Sequence, residues 1–90
     1  MSTEDYSIEF LRTAVKALSK LPLEVQQRIA VRIEELKTNP YPPDVKALKN
    51  GNGSLRLRVG DYRVIYRVES DQLIILVIKI GHRKNIYKQS

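Results

Sequence analysis

Residues 55–67 constrain this chain more than any other stretch. Leu55, Leu57 and Val59 alternate with Arg56 and Arg58; Gly60 and Asp61 follow; then Tyr62, Val64 and Tyr66 alternate with Arg63, Ile65 and Arg67. Strict alternation marks a strand with one buried face, because successive side chains point to opposite sides. A Gly-Asp pair between two such runs is a two-residue hairpin turn, with glycine supplying the unusual backbone angles. That turn fixes the register. Val59 should lie opposite Tyr62, Arg58 opposite Arg63, Leu57 opposite Val64, Arg56 opposite Ile65 and Leu55 opposite Tyr66. One face of the ribbon is then apolar, and the other carries Arg56, Arg58, Arg63 and Arg67.

The apolar face needs a cover, and the upstream sequence provides one. Tyr6 and Ile8 alternate with polar residues and suggest a short first strand. Phe10, Ala14, Ala17, Leu18 and Leu21 recur at the three-to-four-residue spacing of an amphipathic helix. Pro22 breaks that helix and suits the start of the next, whose stripe is Val25, Ile29, Ile33 and Leu36. Glu24, Gln27, Arg28, Glu34 and Glu35 lie largely off the stripe. The run Asn39-Pro40-Tyr41-Pro42-Pro43 ends it, since proline removes a donor and restricts its predecessor. Residues 44–53 read as irregular and close on Asn50, Gly51, Asn52 and Gly53. Strands are expected at about 54–59, 62–69 and 72–80. In the last, Leu73, Ile75 and Val77 alternate with Ile74, Leu76 and Ile78, so both faces are apolar and the strand is central. Part of the arginine side must then be covered, by the C-terminal segment or by a partner. The expected fold is α+β, in the order β-α-α-β-β-β, with a helical hairpin packed on a small, mostly antiparallel sheet. Residues 1–90 form a single domain of this kind.

Composition narrows the function classes. The chain has 90 residues and no cysteine, which excludes disulfide frameworks and cysteine-ligated zinc. Its longest apolar run, residues 73–78, is far short of the roughly 20 residues that span a bilayer. The polar, acidic N-terminus shows no secretory signal, so a cytoplasmic location is expected. Net charge is +6, distributed unevenly. Residues 1–45 carry six Lys/Arg against seven Asp/Glu; residues 46–90 carry ten against three. That asymmetry points to a polyanionic partner for the second half.

Like charges directly across a strand pair are destabilising, and no acid is expected among the four arginines of the outer face. Arginine offers a planar fork of donors that matches phosphate oxygens. The face therefore reads as an anion-binding surface, against the plainer alternative of a solvated outer face. The tail adds Gly81, His82, Arg83, Lys84, Asn85, Ile86, Tyr87 and Lys88. His82, the only histidine, is either a packing residue or a proton acceptor. Arg83 is a phosphate clamp or a solvated charge. Tyr87 either stacks on a base, as aromatics do in single-stranded RNA recognition, or anchors the tail on the core. Lys46 and Lys49, beside the glycine-rich loop, and Arg67 and Lys84 widen the positive surface as candidate RNA contacts. Gly51-Asn52-Gly53 lacks the lysine and helix of a phosphate loop. A single histidine supplies neither a metal site nor a two-histidine nuclease, and no cofactor is expected.

Residues 55–66, with Gly81-His82-Arg83 and Tyr87, resemble the RelE branch of the RelE/ParE toxin superfamily, and the element order fits it too. The resemblance implies an mRNA endonuclease acting in the ribosomal A site and inhibiting translation, silenced by a cognate antitoxin protein that wraps it. It implies that Arg56, Arg58 and Arg63 bind and polarise the scissile phosphate, and that Arg83 and Tyr87 complete the site. This chain has arginine where some members carry lysine on the second strand, which favours an electrostatic role over proton transfer there. Leu55 stands where an aromatic residue is common.

The expected reaction needs no metal, because the RNA 2′-oxygen attacks the adjacent phosphorus and the 5′-oxygen leaves. Arg56, Arg63 and Arg83 would stabilise the crowded phosphate oxygens. Tyr87 or His82 would accept the 2′-hydroxyl proton, a choice the sequence leaves open. The rival readings are a ParE-like non-enzymatic toxin that binds DNA gyrase, an inactive RNA-binding domain, and a basic face that serves only an acidic protein partner.

Overall fold

The structure, a computed structural model, describes residues 5–48 and 53–84. The elements follow in the order β1 (Ser7–Phe10), α1 (Arg12–Ser19), α2 (Leu23–Glu35), β2 (Lys46–Ala47), β3 (Leu55–Val59), β4 (Tyr62–Glu69) and β5 (Ile74–His82). One sheet runs β1-β5-β4-β3-β2. Its pairings are antiparallel except for β1, which lies parallel to β5 at the edge. The helical hairpin packs on one face, so the expected α+β architecture holds.

Three local expectations change. The last strand, expected at about 72–80, runs Ile74–His82, so Gly81 and His82 lie within it. Phe10 belongs to β1 rather than to the first helix, because Leu11 already caps α1 with extended backbone angles. Residues 46 and 47, read as irregular, form the short strand β2, with Lys46 opposite Arg56 and Ala47 opposite Leu55. Two residues carry no periodicity, so alternation could not reveal them.

The hairpin register is as the turn length dictates, from Val59 opposite Tyr62 to Leu55 opposite Tyr66. Gly60 has φ +60° at the first turn position, the type II′ requirement that glycine meets without steric cost. Apolar side chains of the two layers meet in one core. Ala14, Ile29, Ile33 and Leu36 come from the helical layer, and Leu57, Val59, Val64, Tyr66, Ile75, Val77 and Ile80 from the sheet. Tyr66 is fully buried, yet its hydroxyl donates to the Pro40 carbonyl at 2.6 Å. This bond satisfies the buried phenol and ties the proline-rich connection to the sheet. Gln26 closes the helical hairpin by donating from Nε2 to the Leu21 carbonyl at 2.9 Å.

One irregularity decides which side chains reach which face. Between Ile65 and Tyr66 of β4 the pairing with β5 slips: Ile65 faces Lys79, but Tyr66 faces Val77. Ile78 is thus a bulge residue, and beyond it the alternation of β5 is reversed. Lys79 and Gly81 pass to the arginine side, while Ile80 and His82 pass to the helix side.

Candidate functional site

Period-two alternation, the hairpin register and the β5 bulge together build a cationic outer face. Lys46, Arg56, Ile65 and Lys79 form one row across β2, β3, β4 and β5. Arg58, Arg63 and Gly81 form the next, towards the turn. The sequence reading missed Lys79, since unbroken alternation would have buried it with Ile75 and Val77. Both sets of β5 residues before the bulge are apolar, so nothing local in the sequence marks the slip. Ile65 is only 6% exposed within this face, and Ile74 and Leu76 are half-buried. The face is therefore part cationic and part apolar, as the two-sided hydrophobicity of β5 demands.

The arginines are not equivalent. Arg58 is exposed, while its own carbonyl accepts a hydrogen bond from Arg32 Nη1 of α2 at 3.2 Å. Arg63, directly opposite, is 9% exposed. Its Nη1 donates to the carbonyls of Gly60 and Tyr62, both at 3.0 Å. The guanidinium thus folds back over the hairpin turn, where carbonyl dipoles offset its charge. This bend lowers the repulsion expected between Arg58 and Arg63. Arg56 is half-buried beside Lys46.

Arg67 and Glu69 revise one expectation. Glu69 lies two residues on in the same strand, on the same face, with Arg67 Nε 3.7 Å from its carboxylate. The far end of the arginine face therefore holds an acid, and Arg67 is partly neutralised there.

At the opposite end, β5 runs out beside the hairpin turn. The Arg83 amide donates to the Asp61 carbonyl at 2.8 Å, and Arg83 Nε lies 3.5 Å from the Asp61 carboxylate. Arg83 is brought to the Arg63 end of the sheet by Asp61, which the sequence marked only as a turn residue. Lys84 follows and is exposed.

His82 is not brought together with the arginines. It pairs with Tyr62, whose side chain belongs to the helix-facing set. The rings meet edge-on, with centroids 5.3 Å apart and planes at 81°. Nδ1 accepts a hydrogen bond from the Lys84 amide at 3.1 Å, which leaves the proton of a neutral ring on Nε2. The bulge at Ile78 is the physical cause of this placement. Lys49 and Tyr87 lie outside the described residues.

Beside the turn, on the helix side, a groove of about 630 Å³ is lined by Glu24, Gln27, Arg28, Val31, Arg32, Val59 and Gly60. Arg32, one of these residues, is held three ways, by the Arg58 carbonyl, by Asp44 at 2.8 Å and by Glu35 at 3.3 Å. Hydrogen bonding from Arg32 is the main cause that holds the Asp44 carboxyl below its ordinary range.

Comparison with known proteins agrees with this architecture. The family described as the ParE toxin of the type II toxin–antitoxin system parDE matches residues 8–87. A protein named putative toxin RelE1, from Methanocaldococcus jannaschii, is 37% identical over 92% of this chain and 96% of its own. The archaeal RelE–RelB complex from Pyrococcus horikoshii OT3 contains a chain that superposes with a TM-score of 0.78 at 30% identity. The match covers 90% of this chain and 98% of that one. The RelB–RelE antitoxin–toxin complex from Methanococcus jannaschii gives a TM-score of 0.72 at 33% identity, over 88% and 94% of the two chains. The two helices on a five-stranded sheet, the arginine-bearing hairpin and these matches along nearly the whole chain lead to one assignment: the protein belongs to the ParE/RelE family of type II toxins.

Proposed function

We propose that this protein is the toxin of a type II toxin–antitoxin pair and acts as a ribosome-dependent, metal-independent endoribonuclease on mRNA. The observation that carries the reading is the concentration of cations at one end of one sheet face. Arg56, Arg58 and Arg63 lie there, Lys46 and Lys79 extend the row, and Arg83 is held at the turn. Such a surface suits a phosphate whose negative charge rises as the 2′-oxygen attacks and the 5′-oxygen departs. Besides one proton transfer, the protein's task is then positioning and charge neutralisation, and the ribosome would present the RNA in the required geometry. With His82 turned to the helix side, the reading assigns acceptance of the 2′-hydroxyl proton to Tyr87, and the departing 5′-oxygen takes up a proton from water.

The proposed protein partner is a cognate antitoxin. Relatives occur in complexes with RelB antitoxins, and the half-apolar arginine face, with Ile65, Ile74 and Leu76 beside the cations, suits a segment of mixed acidic and apolar character. Location in the cytoplasm follows from a ribosomal substrate. Among the described residues no helix is long and apolar enough to cross a membrane.

A second reading rests on the matched family's description as a ParE toxin: growth arrest through binding DNA gyrase, without RNA chemistry. Expression in bacteria without antitoxin, with mapping of new mRNA 5′ ends, separates the two. The proposal predicts new cuts inside translated codons, absent for Arg58→Ala. Arrest with intact mRNA and damaged DNA would replace it with the gyrase reading.

A further inference from the structure

Asp61 stands out because the hairpin alone does not explain it. A two-residue turn with glycine first accepts many second residues, and a carboxylate within a cationic surface opposes the binding of RNA. Its contacts point elsewhere. The Asp61 carbonyl accepts the Arg83 amide at 2.8 Å, which anchors the first residue beyond β5. The Asp61 carboxylate lies 3.5 Å from Arg83 Nε. One turn residue therefore contacts both the backbone and the side chain of Arg83. Arg63, at the same turn, has its guanidinium held by the Gly60 and Tyr62 carbonyls. The turn end of the hairpin thus contacts two guanidinium groups, one from β4 and one just beyond β5.

We propose that Asp61 is a positioning residue for Arg83. By engaging Nε, the carboxylate fixes the plane of the guanidinium and directs the two Nη groups outward as a fork for phosphate oxygens. An arginine otherwise has several rotatable bonds, and ordering it at the moment of reaction costs entropy. Asp61 bears that ordering in advance, as preorganised sites do. The pair is solvent-exposed, with side-chain exposures of 70% for Asp61 and 54% for Arg83, so the effect is bounded by what exposed ion pairs supply. That bound corresponds to about a fivefold change in rate. The inference rests on the endoribonuclease reading.

The test is a double-mutant cycle on mRNA cleavage with programmed ribosomes, using wild type, Asp61→Asn, Arg83→Ala and the double variant. Asparagine keeps the turn chemistry and the backbone carbonyl while removing the charge. The expected result is a kcat about fivefold lower for Asp61→Asn with KM little changed, partial recovery in Asp61→Glu, and no further loss when Asp61→Asn is added to Arg83→Ala. Losses that simply multiply in the double variant, or a higher rate in Asp61→Asn from weaker repulsion of RNA, would overturn the positioning role. An independent readout is the Arg83 Nε–H resonance of the free protein, expected to broaden and exchange faster in Asp61→Asn. An unchanged resonance refutes the contact itself. Wild-type protein that cleaves nothing while that resonance responds as expected would instead sink the endoribonuclease reading, and the catalytic role of Asp61 with it.

Discussion

Replacing Arg63 by alanine should destabilise the protein measurably, as well as removing a proposed phosphate contact. Arg63 Nη1 donates to two turn carbonyls at 3.0 Å, and the residue is only 9% exposed. Hydrogen bonds from a charged group contribute about 1.5–3 kcal/mol each when their loss strands a buried partner. Here Gly60 is exposed and Tyr62 half-buried, so water replaces much of what is lost. Removal of the guanidinium also relieves Arg58 across the strand pair. The net cost should be about 1–2 kcal/mol, on the order of a fifth of the stability of a domain this size. At about 4–8 °C per kcal/mol for a small domain, the midpoint should fall by roughly 4–16 °C. Thermal unfolding followed by far-ultraviolet circular dichroism measures it, with Arg58→Ala as the control. Arg58 is exposed, and its truncation should stay within about 0.5 kcal/mol of wild type. A midpoint for Arg63→Ala equal to that of Arg58→Ala would show that the turn carbonyls do not hold this guanidinium. The practical consequence is that loss of activity in Arg63→Ala mixes chemistry with stability, whereas loss in Arg58→Ala does not.

The other predictions concern the core and pH. Tyr66→Phe should cost about 1–2 kcal/mol in denaturant unfolding, because the Pro40 carbonyl loses its donor. Burial first, with Tyr41 and Asp44 adding, pushes the Tyr66 phenol well above its ordinary value of 10.0. Its contribution to stability is complete below that value and is lost as the pH rises beyond it; in Tyr66→Phe this alkaline component should be missing. Asp44 has the opposite sign. Its carboxyl is held below 3.8, chiefly by the Arg32 hydrogen bond, so its contribution is present above that pH and is lost as the pH falls through the depressed value. Asp44→Asn should flatten this acid limb, a small effect at an exposed pair. Ile29→Ala, at a fully buried position between helix and sheet, should cost about 2–5 kcal/mol by leaving a cavity.

Legibility in the sequence followed the physics of each signal. The hairpin register could be read residue by residue, because a two-residue turn leaves no freedom in the pairing and the arginines alternate with apolar residues. The helical stripe of Ile29, Ile33 and Leu36 was equally plain. The bulge at Ile78 was not, since Val77 and Ile78 are both β-branched and apolar and either suits a buried position. That one slip sends Lys79 to the arginine face and His82 to the helix side, and neither placement could be read from the sequence. Glu69 was legible, two residues after Arg67, and corrects the expectation of an acid-free face. The partnership of Asp61 with Arg83 joins residues 22 positions apart, and no local pattern announces it.

The central claim is that this chain cleaves mRNA by using the substrate's own 2′-oxygen, with cations doing the electrostatic work. The most direct measurement is cleavage of ribosome-bound mRNA by the purified protein, comparing an all-ribose codon with one carrying a single 2′-deoxy sugar at the cut site. The account predicts cutting of the first, with 5′-hydroxyl and cyclic phosphate ends, and none of the second. Equal cutting of both would contradict the mechanism, and no cutting of either would contradict the function.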